Sequence, residues 1–176
     1  NILLNLAEGG VKITVFILYI LAISMLKDIR RVFQYHGAEH KAINCYEAGE
    51  PLTVERVRAH SVIHRRCGTS FIIFVLLVSI FIFSFFGRPP FLARVGLHLL
   101  LLPVVAGISY EIIRLAGRKQ APFIIRILSL PGMWTQRLTT REPDDSQIEV
   151  AIRSLGVVLR RDQSEEAPAS SGLAVP

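Results

Sequence analysis

Two histidines and a glutamate lie close together in the stretch His36-Gly-Ala-Glu-His40. Residues four apart on a helix share a face, so His36 and His40 can offer two imidazole nitrogens to one metal ion. Glu39 stands beside that face, where a carboxylate is able to take a proton from a metal-bound water. The pattern therefore predicts metal-dependent chemistry, with Glu39 as the candidate catalytic base.

More residues of metal-binding type follow along the chain. Glu47 would lie within a sector of about 40° with the two histidines, and His60, His64 and Cys67 would share a sector of about 60° on a second predicted helix. The candidate metal ligands are His36, His40, Glu47, His64 and Cys67. A catalytic site needs three protein ligands and a water. We favour Glu47 or His64 as the third, and Cys67 is the further candidate.

The donor types indicate which metal would bind. Zn²⁺ accepts a mixture of imidazole, carboxylate and thiolate, whereas Mn²⁺ or Fe²⁺ would need the carboxylates to dominate. A histidine pair on a solvated helix also arises without any metal, so the additional donors carry the prediction. Cys45 points away from His36 and His40, which favours a packing role in the core.

Composition predicts an integral membrane protein. Hydrophobic residues make up 51% of the chain and charged residues 19%, and three apolar segments approach the length that crosses a bilayer of about 30 Å. The fold class that we predict is all-α, with three transmembrane helices over 11–26, 68–86 and 95–115. Glu111 and Arg114 in the third segment are spaced to form an ion pair.

The positions of lysine and arginine predict the orientation. Most of the 20 basic residues fall in 27–67 or after Gly117, and such residues favour the cytoplasmic side. We therefore expect a multi-pass protein of the inner (cytoplasmic) membrane, with the 27–67 metal-site insertion and the C-terminal tail in the cytoplasm. The net charge of +6 then suits contact with the lipid bilayer, and we expect no nucleic-acid partner.

Glycine and helix-capping residues divide the remaining chain into predicted helices. A helix should run from Val32 to about Ala48 and stop at Gly49, and a second should start at Thr53 and continue through the 60s. Interfacial and amphipathic helices are predicted over 118–161: one over Ala121 to Leu130, and one that starts with a capping box formed by Ser146 and Glu149. Residues 162–176 are predicted to be a disordered tail. The chain begins at Asn1 without a methionine, so we expect it to be part of a longer or processed protein.

Several blocks also resemble a known family. They are His-Gly-Ala-Glu-His-Lys at 36–41, Cys-Tyr-Glu at 45–47, Leu-Thr-Val-Glu at 52–55, His64 with Arg-Cys-Gly-Thr-Ser-Phe at 66–71, and Leu-Thr-Thr-Arg-Glu-Pro-Asp-Asp at 138–145. Over roughly residues 8 to 155 the chain resembles the YqhQ-like bacterial membrane family, whose members are labelled as predicted metal-dependent enzymes. The resemblance implies functional positions at His36, Glu39, His40, Cys45, Glu47, His64 and Cys67.

Two classes of function fit these observations. The first is a Zn-dependent hydrolase of the HxxEH type, which would act on a membrane peptide or a lipid-linked substrate at the cytoplasmic face. The second is a non-enzymatic assembly factor or chaperone for other membrane proteins, in which the metal only fixes the loop. An open coordination position separates the first class from the second. A transporter is the weakest reading, because the predicted spans carry few polar residues.

We predict that Cys45 and Cys67 face the cytoplasm and that Arg88 faces outward. In intact cells, a membrane-impermeant maleimide should label an Arg88→Cys variant and spare positions 45 and 67, because the basic segments are retained inside. Labelling of position 45 together with protection of position 88 would reverse the orientation.

Overall fold

The chain folds entirely into helices. A computed structural model describes residues 2–87, 89–118 and 120–166, and in these residues there are seven α-helices and no β-strand. The all-α prediction is confirmed. The helices are α1 (Ile2–Ile23), α2 (Lys27–Glu47), α3 (Val54–Arg58), α4 (Gly68–Ser84), α5 (Phe91–Ala116), α6 (Phe123–Thr139) and α7 (Asp145–Glu166).

The helices pack in two groups. In the first group α4 is central and contacts α1, α5 and α6. In the second group α7 packs along α2 and α3. The core of the second group contains Ala38, Cys45, Val57 and Ile148, all fully buried. The amphipathic helix predicted near Ile148 therefore packs as expected against the helix that carries the histidines.

Two of the described helices are long and apolar enough to cross a membrane. They are the 21-residue stretch Leu3–Ile23, with a mean hydropathy of 1.9, and the 26-residue stretch Phe91–Ala116, with a mean hydropathy of 2.0. In an 18-residue window of each helix, only 6% of the residues are buried within the protein, so most of the apolar side chains face outward. Apolar surface of this extent is typical of contact with lipid or with another protein.

Only two of the three predicted transmembrane segments form helices that are long and apolar enough to span a membrane, and the third forms a shorter apolar helix. The segment predicted over 68–86 forms a helix of 17 residues, Gly68–Ser84, which spans about 25 Å at 1.5 Å per residue. The chain turns toward α5 because Gly87, Pro89 and Pro90 do not favour a continuing helix. The first apolar helix also differs from the predicted 11–26, since it begins at Ile2 and ends at Ile23.

The end of α2 agrees with the sequence pattern. Gly49 has a φ of 74°, a left-handed conformation that glycine adopts without steric cost. The Gly49 N–H donates to the Tyr46 carbonyl at 2.9 Å and the Glu50 N–H to the Cys45 carbonyl at 3.1 Å. This pair of hydrogen bonds is a Schellman motif, and it turns the chain back along α2.

The second predicted helix of this region is largely absent. Thr53 caps α3 by accepting a hydrogen bond from the Arg56 N–H, as expected, but α3 ends at Arg58 after five residues. No helix follows before α4 begins at Gly68. His60, His64 and Cys67 therefore do not share a helical face, and the prediction of a second helical stripe is wrong.

A buried lysine explains why the chain is irregular after α3. The Lys41 ammonium group donates to the carbonyl oxygens of Arg58 at 2.9 Å and His60 at 2.8 Å. It also pairs with the Glu142 carboxylate at 3.0 Å, and its side chain is only 5% exposed. A buried charge needs such partners. The carbonyl groups of Arg58 and His60, which would accept hydrogen bonds within a longer helix, therefore accept them from Lys41 of α2.

The carbonyl groups further along the same segment are also bound by side chains. The Asn44 amide donates to the carbonyls of Ser61 at 2.8 Å and Ile63 at 3.1 Å. Gln136 on α6 is fully buried and exchanges two hydrogen bonds with the main chain of His64, at 2.9 and 2.8 Å. Segment 58–64 is thus held between the two helix groups.

Two predictions about the last helices need correction. The helix predicted over Ala121 to Leu130 begins at Phe123 and continues through Pro131 to Thr139. Gly132 lets α6 pack closely on Ser70 of α4. The cap of α7 is formed by Asp144 and Gln147 in place of the predicted pair: each side chain accepts a hydrogen bond from the other's main-chain N–H, both at 2.9 Å.

The described residues include only part of the predicted tail and of the loop between α4 and α5. Helix α7 reaches Glu166, so the first residues of the predicted disordered tail are helical. Residues 167–176 and Arg88 lie outside the described residues. Cys45 and Cys67 are both buried, and the neighbouring Tyr46 is 48% exposed. A Tyr46→Cys variant is therefore an accessible reporter for the labelling experiment described above.

Gly37 is required where α2 meets the chain between α6 and α7. A Cβ atom at this position would overlap the Arg141 carbonyl oxygen, and the Arg141 N–H donates to the Phe33 carbonyl at 2.9 Å. Two main chains in contact cannot yield as a flexible side chain would. The glycine therefore sets the distance between α2 and the chain leading to α7.

We predict that Gly37→Ala lowers the free energy of unfolding by about 1 to 3 kcal/mol through overpacking. Gly156→Ala on α7 is the matched control: nothing lies within 4 Å of its Cβ, so it should be neutral or stabilising by up to about 1 kcal/mol. Thermal unfolding of the detergent-purified protein, followed by circular dichroism, measures both. Equal unfolding midpoints would show that the contact at Gly37 is not restrictive.

Candidate metal centre

Three predicted ligands meet where the two helix groups join. His36 and His40 lie one turn apart on α2, and their ring centroids are 4.3 Å apart. Cys67, the N-cap residue of α4, places its Sγ 3.2 Å from His36 Nε2. One ligand atom from each of the three residues lies within 4.8 Å of the other two.

The remaining ring nitrogen of each histidine is bound to a main-chain carbonyl. His36 Nδ1 is 2.9 Å from the Thr139 oxygen, and His40 Nδ1 is 2.6 Å from the Val62 oxygen. Since a carbonyl oxygen only accepts hydrogen bonds, each Nδ1 carries the proton and each Nε2 keeps its lone pair in the neutral ring. Metal-binding histidines commonly have this second hydrogen bond.

The thiol of Cys67 is poised to ionise. Burial raises its pKa, but hydrogen-bond contacts with His36, His40 and Thr69 outweigh that effect and lower the pKa to about 5. Thr69 Oγ1 lies 3.0 Å from the sulfur. Burial lowers the pKa of His36, while its contacts with Cys67 and Thr139 raise it, and the net pKa is raised. The thiolate form, which is the metal-binding form, is thus favoured near neutral pH.

Glu39 lies on the open side of these residues. It is exposed and lines a cavity of about 340 Å³ together with His36, His40 and Cys67. No hydrogen bond or ion pair of its carboxylate occurs among the described residues, although its charge contributes to the raised pKa of His36. A small molecule entering this cavity would meet Glu39 beside the three candidate ligands.

Glu47 and His64 lie next to the three-residue cluster and contact each other. His64 Nε2 is 3.4 Å from Glu47 Oε1, and Arg66 forms a close ion pair with the same carboxylate. Burial raises the pKa of Glu47, but Arg66 and His64 outweigh it and the net pKa is lowered. Burial also lowers the pKa of His64, against the opposing effect of Glu47. The carboxylate that we favoured as a third ligand is therefore already paired.

Sequence reasoning did not find the residues that position the site. Thr139 holds His36, Thr69 holds the Cys67 sulfur, and Gln136 holds the main chain before Cys67. Thr139 lies in the block at 138–145 that resembles the YqhQ-like family, and this resemblance is only a weak indication that Thr139 contributes to the site. Gln136 is the one amide side chain in α6, and this isolated amide is the signal that the sequence offered.

Other singled-out residues lie elsewhere. Arg114 and Glu111 form the predicted ion pair, at 2.6 Å. The ring of His98 stacks on Phe83 with centroids 3.9 Å apart, between α4 and α5. Cys45 is fully buried in the core of the second helix group, as predicted.

Comparison with known proteins identifies the family. Residues 1–161 match the family described as "Protein of unknown function (DUF1385)". The chain belongs to this family. It is also 45% identical over 159 residues to the "Uncharacterized protein YqhQ" of Bacillus subtilis (strain 168), an alignment that covers 90% of this chain and 50% of the relative.

The YqhQ-like resemblance is thereby confirmed, and this DUF1385 chain spans about half the length of that relative. No solved structure matches it. The family description and the name of the relative state no activity, so the chemistry of the site has to be argued from its geometry.

We predict that the two cysteines of the metal-free protein ionise in separate pH ranges. In Cys45→Ala, where Cys67 is the remaining thiol, thiolate absorbance should appear as the pH rises through about 5. In Cys67→Ser it should appear only above the range of a free thiol, because burial and the Glu50 carboxylate raise the pKa of Cys45. Ultraviolet absorbance measured against pH tests this, and a Cys67 transition near that of a free thiol would contradict it.

Proposed function

We propose that this protein is a metal-dependent hydrolase that acts at the cytoplasmic face of a membrane. In this proposal His36, His40 and Cys67 bind the metal, and Glu39 is the general base. The observation that supports it best is the convergence of three donor atoms whose histidines are already fixed by carbonyl groups. Zn²⁺ is the ion that two imidazoles and a thiolate favour.

Cys67 replaces Glu47 and His64 as the proposed third ligand. Its sulfur contacts His36 directly, whereas the Glu47 carboxylate is engaged by Arg66 and His64. Three protein ligands beside an open cavity leave room for a water, as in catalytic zinc sites. A closed structural site would instead need a fourth protein ligand at the same point.

The residues of this chain would divide the work as follows. A bound zinc ion supplies Lewis acidity and lowers the pKa of a bound water. Glu39, with an unpaired carboxylate on the cavity rim, would be the residue that accepts a proton from water. The carbonyl groups of Thr139 and Val62 keep the two imidazoles in the tautomer that leaves Nε2 available.

A neighbouring groove supports a substrate with an apolar part. A cavity of about 340 Å³ lies between α2 and α7 and is lined by Tyr35, Glu39, Ala42, Ile43, Val150, Ala151, Ser154, Leu155 and Val158. Glu39 and Ile43 also line the cavity at the candidate ligands. An apolar side chain or lipid tail lying in the groove would place an adjoining bond next to Glu39. A membrane peptide or a lipid-linked molecule is therefore the proposed substrate class.

The membrane setting is part of the same proposal. The outward-facing apolar helices α1 and α5 would lie in the bilayer, together with the shorter apolar helix α4 that contacts both of them. Because α4 and α5 would then enter and leave the bilayer as a pair, the basic segments around α2 and α7 would share the cytoplasmic side. The metal-binding residues would then lie at the membrane surface, within reach of substrates that emerge from it.

A non-enzymatic role in membrane-protein assembly is the second candidate. Three valines on α7, Val150, Val157 and Val158, are 48%, 59% and 54% exposed, which offers an apolar surface to a partner. In that case the ion would have only a structural role, and an added ligand would find no coordination position.

We predict that the Co²⁺-loaded protein has an open coordination position. A small hydroxamate should change its visible spectrum, because a metal-bound water can be displaced whereas four protein ligands cannot. His40→Ala should lose the metal bound at this centre and the spectral response to hydroxamate, and His98→Ala, a histidine remote from the site, should retain both. A spectrum that hydroxamate leaves unchanged would favour the structural role.

We also predict that Glu39→Gln retains the metal and loses turnover by about 10²- to 10⁴-fold, the usual contribution of a general base. The assay compares wild type and variant in liposomes against apolar membrane peptides and lipid-linked substrates, with metal content measured in parallel. Loss of metal together with turnover would make Glu39 a ligand and contradict its role as base.

A further inference from the structure

A second group of metal-binding side chains lies on another side of α2. It consists of Cys45 in the last turn of α2, Glu50 in the turn that follows, and His60 just after α3. One ligand atom of each lies within 4.8 Å of the other two, and His60 Nε2 is 3.6 Å from Glu50 Oε1. Cys45 follows His40 by five residues, which places it about 140° around the helix from that ligand.

The main chain holds each of these residues in place. The Glu50 N–H is bound to the Cys45 carbonyl at 3.1 Å, and the His60 N–H to the Val57 carbonyl at 3.1 Å. The His60 carbonyl accepts a hydrogen bond from Lys41 at 2.8 Å. The three side chains therefore start from fixed backbone positions and need only side-chain rotations to close on one point.

The three donors differ in how deeply they are buried. Cys45 is fully buried, whereas the side chains of Glu50 and His60 are 40% and 19% exposed and lie at the surface beside it. Ligand atoms around a tetrahedral zinc ion are about 3.3 to 3.8 Å apart, given bond lengths of about 2.0 to 2.3 Å. The partly exposed glutamate and histidine can move the remaining distance of about 1 Å by changing their side-chain torsions.

The charges around the cluster also suit a divalent cation. A thiolate and a carboxylate together offset two positive charges, and imidazole adds a neutral donor. Arg56 approaches the other carboxylate oxygen, Glu50 Oε2, at 3.9 Å, but both side chains of that pair are exposed. Such an exposed ion pair contributes little, and Glu50 Oε1 remains directed at His60.

We propose that Cys45, Glu50 and His60 form a second metal site, separate from the centre at His36, His40 and Cys67, for a zinc-type divalent cation. This ion joins the end of α2, the turn at Glu50 and the end of α3. Its role is structural, because its ligands come from three successive segments of the chain that it would hold together. It reinforces the start of segment 58–64, which the candidate catalytic centre requires.

The two cysteines of the chain make a direct test feasible. In Cys67→Ser, Cys45 is the only thiol, so any thiolate-to-cobalt charge-transfer band on addition of Co²⁺ to the full, detergent-purified protein arises from Cys45. We expect about one equivalent of Co²⁺ with such a band. The band should disappear when His60→Ala is added and persist when His98→Ala is added as the matched control.

A folded Cys67→Ser protein that shows no band would overturn the proposal, as would a band that survives His60→Ala. If Cys67→Ser does not fold, Zn²⁺ protection of the wild type from alkylation, measured for each cysteine by mass spectrometry, takes its place. Zn²⁺ should slow alkylation of Cys45 at least tenfold, and His60→Ala should remove the protection of Cys45 but not that of Cys67. Equal Cys45 alkylation rates with and without Zn²⁺ would also overturn the proposal.

Discussion

The structure depends on how the carbonyl groups of segment 58–64 are satisfied. This segment has left the helix and pairs with no strand, so its carbonyls require other donors. Lys41, Asn44 and His40 of α2 supply donors to five of them, and Gln136 of α6 supplies one to the sixth, that of His64. Each donor lost would leave a carbonyl unpaired, at a cost of about 1 to 3 kcal/mol. Six of the carbonyl groups in this irregular loop are thereby paired by side chains of α2 and α6.

The same hydrogen bonds prepare the candidate chemistry. The hydrogen bond that His40 donates to the Val62 carbonyl also fixes the tautomer of His40, and the hydrogen bond that His36 donates to the Thr139 carbonyl does the same for His36. Cys67 is positioned because Gln136 fixes the main chain just before it. The hydrogen bonds that hold segment 58–64 are therefore also hydrogen bonds that position the candidate ligands. A change that weakens this segment also weakens the site. This coupling is the reason that a purely local reading of the histidine motif is incomplete.

The sequence was informative where structure is local. The i,i+4 spacing correctly placed His36 and His40 on one face, the glycine at 49 ended α2, and apolar periodicity identified the helix that packs on α2. It failed where distant residues decide the outcome. Periodicity could not show that Lys41 would bind main-chain carbonyls after α3 and so end the helix at Arg58. It also could not show that Arg66 would form an ion pair with the Glu47 carboxylate. Asp144 and Ser146 are both good caps, and only the chain path selects Asp144.

The position of Cys67 at the first turn of α4 has a mechanical consequence. Its thiol is attached directly to the apolar helix group, whereas His36 and His40 belong to the group built from α2, α3 and α7. The three donor atoms therefore straddle a joint, and any rotation of one group against the other changes the separation of Nε2 and Sγ. An ion bound by all three residues would resist such rotation. Its affinity would in turn depend on how the two helix groups are aligned.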